Sequence, residues 1–300
     1  MVEAGKKRGI PEITITIIIT MDGKVLILGS KGMLGGQLTQ VFGEAAIGWD
    51  RDAVNVADLN QLSSKLTAIS GKLTAIINCV AYNDVDGAEI NQDLAFALNA
   101  EVPKNLAGIC RQLNIPLVHF STNYVFDGEK EEYLESDEPN PQSVYAKSKF
   151  QGEQYLISGC QKYYLIRTAV LFGPKGQSGA SKKSFVELML AKAAENQPIK
   201  AVNDLINSLT YVVDLSLAVK LLLGQDKAYG IYHITNSGQA SWYEFAKEIF
   251  ALKNIQADLA PVSIVDFPRK APVPKKAVLL NTKLPSLRPW QVALKEFLEN

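Results

Sequence analysis

Two hydrophobic patterns alternate along the first half of the chain. Runs of consecutive, mostly branched apolar residues at 25–28, 75–82, 117–120 and 164–168 have the length and composition of strands buried on both faces. Between them, apolar residues recur at helical spacing. One such segment opens at Gln37-Leu38 and runs to Phe42; others cover 58–69 and 91–113, and one starts at Ser143. A weaker strand is expected at 45–49. This alternation predicts a parallel sheet with crossover helices.

From Leu171 the pattern changes. The polar, glycine- and lysine-rich stretch 173–184 has the size of a binding segment or lid. Helices are expected at 184–195, 212–223, 242–252 and 289–298, and strands at 199–202, 231–235 and 277–280, with a proline-rich segment at 261–274. No internal repeat is present. The fold class predicted is α/β: a Rossmann-type doubly wound parallel sheet over 21–170, with a smaller, interleaved α/β substrate-binding lobe over 171–300. Parts of that lobe, about 212–235, are expected to return to the first unit.

Residues 1–20 stand apart. Lys6-Lys7-Arg8 followed by the threonine-interrupted apolar run 13–19 mimics the front of a signal peptide, yet no small-residue cleavage site follows. The run is also too short to span a bilayer. Met21 is expected to begin the functional unit, with 1–20 an upstream extension outside the fold.

Composition narrows the function classes. Lys plus Arg and Asp plus Glu both number 31, so no charge footprint for nucleic acid or an anionic membrane is present. Cys79, Cys110 and Cys160 are odd in number and far apart, which argues for a reducing compartment, the cytoplasm by default, and against structural zinc. His119 and His233 each sit inside an apolar run and read as core residues rather than ligands. No metal is expected.

The chemistry starts at the turn after the first strand. Gly29, Gly32 and Gly35, spaced G-x-x-G-x-x-G, let a backbone without Cβ atoms turn tightly and approach a diphosphate. The helix that follows offers free N–H groups and its positive dipole end to that anion. Asp50 lies about 20 residues beyond Gly29, where an acidic side chain meets a cofactor ribose in such folds. Arg51 is suited to a 2′-phosphate, so NADH and NADPH both stay open. Asp58 caps the next helix or contacts adenine. Further on, Tyr145 and Lys149 are spaced i, i+4 on one helix and share a face. A phenol with an ordinary pKa of about 10 is a poor acid at neutral pH. A neighbouring ammonium favours its phenolate.

Together, Gly29-x-x-Gly32-x-x-Gly35, Asn99, Thr122 and Tyr145-x-x-x-Lys149 resemble the extended short-chain dehydrogenase/reductase superfamily. The segments Asn78-Cys79-Val80-Ala81-Tyr82, Ser121-Thr122-Asn123-Tyr124-Val125-Phe126-Asp127-Gly128 and the stretch from Val144 to Glu153 are similar to those of the dTDP-4-dehydrorhamnose reductase family. The resemblance implies NADPH- or NADH-dependent reduction of a 4-keto nucleotide sugar. It implies Tyr145 as proton donor, Thr122 as partner of the same oxygen and Lys149 as tuner of Tyr145 and holder of ribose. It further implies Asn99 as support for a water linking the lysine to solvent.

The cofactor is implied to lie on Gly29, Lys31, Gly32, Met33, Leu34 and Gly35. It continues over Asp50, Arg51, Asp58 and Leu59 and past Val80, Ala81, Tyr82, Tyr145 and Lys149. The sugar is implied to lie against Val85, Thr122, Asn123, Tyr124 and Val170. Some relatives are dimers, so a homodimer is an expected assembly.

Four departures from the family pattern touch sugar recognition. Asn123 replaces an aspartate, and Ala169-Val170 replaces Ser-Trp. The stretches 205–210 and 273–277 have also drifted from the family's Gln-x-Gly-x-Pro-Thr and Arg-Pro-x-x-Ser patterns. Two alternatives therefore stay open. One is a non-catalytic cofactor-binding subunit resembling the regulatory β subunit of methionine adenosyltransferase; the other is a reductase or epimerase for a different nucleotide sugar.

Overall fold

The computed structural model describes residues 23–177, 183–225, 227–267 and 269–300. The expected extension at 1–20 and the middle of the loop at 173–184 lie outside the described residues.

Six parallel strands form the large sheet: β1 (Lys24–Leu28), β2 (Ala46–Trp49), β3 (Leu73–Asn78), β4 (Leu117–Thr122), β5 (Tyr163–Thr168) and β6 (Gly230–His233). Their spatial order is β6-β5-β4-β3-β1-β2. The chain runs outward from β1 to β2, then returns to the other side of β1 to form β3. The crevice beyond the carboxyl ends of β1 and β3 is therefore the topological switch point, where ligands bind in doubly wound sheets.

The runs of uninterrupted apolar residues follow from burial on both faces. Val25 and Ile27 enter one core, shared with Leu38 of helix α1 (Met33–Phe42) and with Val212, Leu215 and Val219 of the helix Val212–Gly224. Leu26 and Leu28 enter the opposite core, shared with Leu62 of helix α2 (Leu59–Ile69) and with Leu106 of the helix Val102–Leu113. The strand β6 pairs with β5, so the chain re-enters the large sheet after residue 171. A third cluster, including Phe172, Val186, Phe245, Ile249 and Leu294, lies among elements after residue 170.

The structure departs from the sequence expectation at several elements. The strand expected at 75–82 runs from Leu73 to Asn78, because Val80 and Tyr82 give their N–H groups to the side chains of Asn78 and Asn99 instead of a neighbouring strand. The helix expected at 91–113 carries a π-helical turn at Ala97–Glu101. Several two-residue strands after 130 have no sequence signal of their own. His119 and His233 are fully buried. Among the described residues no helix is long and apolar enough to cross a membrane, and no group of three His, Cys, Asp or Glu side chains is placed to hold a metal ion.

Candidate active site

The first wall of the crevice is the glycine turn. Gly29 adopts φ +77°, a left-handed conformation that a side chain would strain. Its N–H and that of Ser30 donate to the Trp49 carbonyl, at 2.8 and 3.2 Å, and Gly32 N–H returns to Gly29 O at 3.0 Å. A Cβ at Gly35 would lie 2.1 Å from Gly29 O. The turn is thus closed so tightly that glycine is required there. Helix α1 opens with Gly32 as N-cap, and no side chain caps its first N–H groups. Amide donors and the positive dipole end face the crevice, which fits a dinucleotide diphosphate. Met33 and Leu34 contribute main chain here; the Leu34 side chain is in the core.

At the end of β2, Asp50 accepts from the Lys31 N–H at 2.9 Å and from the Arg51 N–H at 2.8 Å. These bonds draw the carboxylate over the turn and leave it lone pairs for ribose hydroxyls. Lys31 pairs with Asp52 at 2.7 Å, which raises the lysine pKa, and Arg51 is exposed. Asp58 caps α2 by accepting from Gln61 N–H at 3.0 Å, and Leu59 beside it is exposed.

The second wall follows β3, where Val80, Ala81 and Tyr82 are half-buried. A Cβ at Gly29 would meet the Cys79–Val80 backbone at 3.3 Å, so the two turns are in contact. Asn99 secures this wall. Its Oδ1 accepts from Tyr82 N–H at 2.8 Å, and its Nδ2 donates to Tyr82 O and Ser148 Oγ, each at 2.9 Å. The Asn99 carbonyl faces Gly152, where a Cβ would come within 2.0 Å. Asn99 therefore departs from its expected part in holding a water for the lysine. Its amide is consumed in clamping β3 to the helix Val144–Gly159, and its carbonyl is covered.

That helix begins at Ser143, whose hydroxyl accepts from Ala146 N–H at 3.2 Å. Tyr145 and Lys149 project from it toward the end of β4. Burial, together with the nearby Tyr124, holds the Tyr145 phenol pKa up, to about 12, against the opposing pull of the Thr122 hydroxyl. Lys149 is buried and donates to the Phe120 carbonyl at 2.6 Å. Burial pushes its pKa down to about 8, against the opposing charge of Glu153 one turn further along. Here the expected depression of the tyrosine by the lysine does not occur. The ammonium is turned to a carbonyl, and desolvation dominates the phenol. Glu153 is itself fully buried and paired with Arg167 at 2.7 Å.

Among the expected sugar contacts, Tyr124 meets Tyr145 edge to face with ring centroids 6.2 Å apart. Val85 opens a short helix at the rim and is half-buried. Val170 stands at φ +33°, strained for a β-branched residue, with its carbonyl accepting from Thr210 N–H at 3.0 Å. Asn123 departs from expectation. Its Nδ2 donates to Asn207 Oδ1 at 2.9 Å and to Ala277 O at 2.8 Å, so the buried side chain joins distant segments instead of facing a ligand.

Three features had no readable signal in the sequence: the Phe120 carbonyl, the Arg167–Glu153 pair and Gly176. A Cβ at Gly176 would lie 2.6 Å from Gly32 C, Lys31 O and Met33 N, so this backbone rests on the glycine turn.

The sequence pattern of the RmlD substrate binding domain matches residues 23–300. A dTDP-4-dehydrorhamnose reductase of Mycobacterium tuberculosis is 34% identical over 293 residues, covering 90% of this chain and 91% of that protein. This chain belongs to the dTDP-4-dehydrorhamnose reductase family. A probable dTDP-4,6-dihydroxy-2-methyloxan-3-one 4-ketoreductase of Streptomyces antibioticus is 35% identical, covering 90% of this chain and 93% of that one. The crystal structure of a dTDP-4-dehydrorhamnose reductase from Bacillus anthracis in complex with NADP superposes with a TM-score of 0.87 at 33% identity, over 93% of this chain and 99% of that one. In this reductase family member the glycine turn follows β1 and Thr122 ends β4, both at the carboxyl edge of the Rossmann-type sheet.

Proposed function

We propose that this chain reduces the 4-keto group of a deoxythymidine-diphosphate sugar, converting dTDP-4-dehydro-L-rhamnose to dTDP-L-rhamnose with NADPH or NADH. One observation carries the assignment: the helix Val144–Gly159 brings Tyr145 to the Thr122 end of β4, with Lys149 buried one turn behind it on the Phe120 carbonyl. Family membership favours the enzyme over a regulatory subunit.

When bound, the nicotinamide supplies the hydride. Tyr145 stays protonated at neutral pH and gives its proton to the carbonyl oxygen as that oxygen becomes an alkoxide. Thr122 hydrogen-bonds the same oxygen and holds it against the phenol. Lys149, one helical turn from Tyr145 and fixed at the Phe120 carbonyl, holds the ribose hydroxyls of the cofactor. Asp50 receives ribose hydroxyls, Arg51 a 2′-phosphate when one is present, and the α1 N-terminus the diphosphate. Three free cysteines fit a reducing, cytoplasmic setting. A homodimer belongs to the same proposal on the family resemblance alone, and light scattering of the purified chain decides it.

The test is incubation of the purified protein with NADPH and enzymatically made dTDP-4-dehydro-L-rhamnose, following absorbance of the reduced nicotinamide. Sugar-dependent oxidation with dTDP-L-rhamnose as product is expected. Oxidation only with a different 4-keto nucleotide sugar would reassign the substrate. Cofactor binding without oxidation of any would place the chain with the regulatory subunits.

A further inference from the structure

One carboxylate ties residues 269–271, in the proline-rich segment, to the short helix Val85–Ala88. Asp86, in the first turn of the helix Val85–Ala88, accepts from Arg269 Nη2 at 2.9 Å and Nε at 3.2 Å through Oδ2. Through Oδ1 it accepts from the N–H groups of Lys270 and Ala271 at 3.1 and 3.0 Å. Four donors on one half-buried carboxylate fix both the backbone of 269–271 and the plane of the guanidinium. The Arg269 charge also acts on the Tyr124 phenol, opposing the rise in pKa that burial causes there. Tyr124 in turn stands edge-on to Tyr145 at 6.2 Å between ring centroids. The guanidinium is therefore one aromatic ring away from the proposed proton donor, with its side chain still 24% exposed.

We propose that Arg269, held in place by Asp86, is the residue that binds the diphosphate of the nucleotide sugar. This rests on the function proposed above. In such a sugar the keto carbon and the carbon bearing the diphosphate lie on opposite sides of one six-membered ring. A sugar whose keto oxygen meets Tyr145 must extend its anion about one ring further, which is the reach from Tyr145 across Tyr124 to Arg269. A planar, always charged guanidinium suits two phosphate oxygens at once, and a pre-set plane loses little entropy on binding. Asp86 is the positioning residue. It fixes the fork on one edge and leaves the rest of the cation to the ligand.

The experiment is calorimetric titration of the NADP-loaded chain with dTDP and, separately, with thymidine as a neutral probe. For Arg269→Gln, dTDP affinity is expected to fall 10- to 100-fold, while thymidine and NADP affinities stay within twofold of wild type. Equal weakening of dTDP and thymidine would make Arg269 a purely structural strut and overturn the proposal, as would an unchanged dTDP affinity. If Arg269→Gln does not fold, Arg269→Lys keeps the charge without the fork. It is then expected to weaken dTDP three- to tenfold, and no change overturns the proposal. A wild-type chain that binds NADP but not dTDP overturns this proposal and the nucleotide-sugar assignment together. Wild-type dTDP binding with an unaffected variant overturns this proposal alone.

Discussion

Lys149 donates through Nζ to the carbonyl oxygen of Phe120 at 2.6 Å, inside the protein and one turn from Tyr145. This bond holds a cation where solvent cannot stabilise it. The displacement of its pKa from 10.5 to about 8 amounts to roughly 3 kcal/mol of burial cost. The lost hydrogen bond to Phe120 O is worth about 1–2 kcal/mol. Burial cost wins, so Lys149→Met is expected to abolish turnover while raising stability by about 1 kcal/mol at pH 7. Because the folded-state pKa is depressed, the cost is full below pH 8 and fades as pH rises toward 10.5. Chemical denaturation at pH 7 and pH 10 checks this: the gain of Lys149→Met should shrink at the higher pH, and a loss of stability at pH 7 would contradict it.

The same group sets a pH limit on activity. In the free chain Lys149 is charged below about 8 and neutral above, whereas Tyr145 at about 12 stays protonated throughout. A profile of kcat/KM, which reports the free enzyme, should be level below pH 7 and fall as pH rises through about 8. A limb that instead rises through pH 8 would reverse the assigned protonation states.

The glycine turn gives a third expectation. Gly35→Ala drives a Cβ to 2.1 Å from Gly29 O and forces the turn open. Overpacking of this kind costs about 1–3 kcal/mol. That cost falls on the cofactor surface, so NADPH affinity should drop about tenfold or more by fluorescence titration. Far-ultraviolet dichroism should be unchanged, since the sheet does not depend on the turn.

Cofactor choice is readable from Arg51. Asp50 is already tied to two N–H groups of the turn, while Arg51 is exposed beside it. A guanidinium on a 2′-phosphate at an exposed site is worth about 1.4 kcal/mol. Arg51→Ala should therefore raise the Kd of NADPH about tenfold and leave that of NADH within twofold. Equal loss for both would mean that Arg51 supports the turn itself.

What could be read in the sequence was chemistry held at short range. The spacing of Gly29, Gly32 and Gly35 dictates a turn wherever it occurs after a strand, and i, i+4 spacing puts Tyr145 and Lys149 on one face. Contacts between distant segments had no such signal. Arg167 meets Glu153 across a strand and a helix, Asp86 meets Arg269 across 183 positions, and Gly176 rests on Gly32. Asn99 and Asn123 show the same limit from the other side. Each was legible as a polar residue near the site, but their partners, Tyr82 and Ser148 for one and Asn207 and Ala277 for the other, turn them into clamps. The lysine's effect on the tyrosine failed for a related reason, since the competing acceptor, Phe120 O, is a main-chain atom that no side-chain pattern reports.

The central claim is that Tyr145 delivers the proton. Single-turnover reduction of dTDP-4-dehydro-L-rhamnose by NADPH-loaded enzyme tests it most directly, comparing wild type with Tyr145→Phe. Loss of a positioned general acid costs about 10²- to 10⁴-fold, so hydride transfer should slow by that factor with NADPH affinity within twofold of wild type. Transfer at the wild-type rate in Tyr145→Phe would contradict the account.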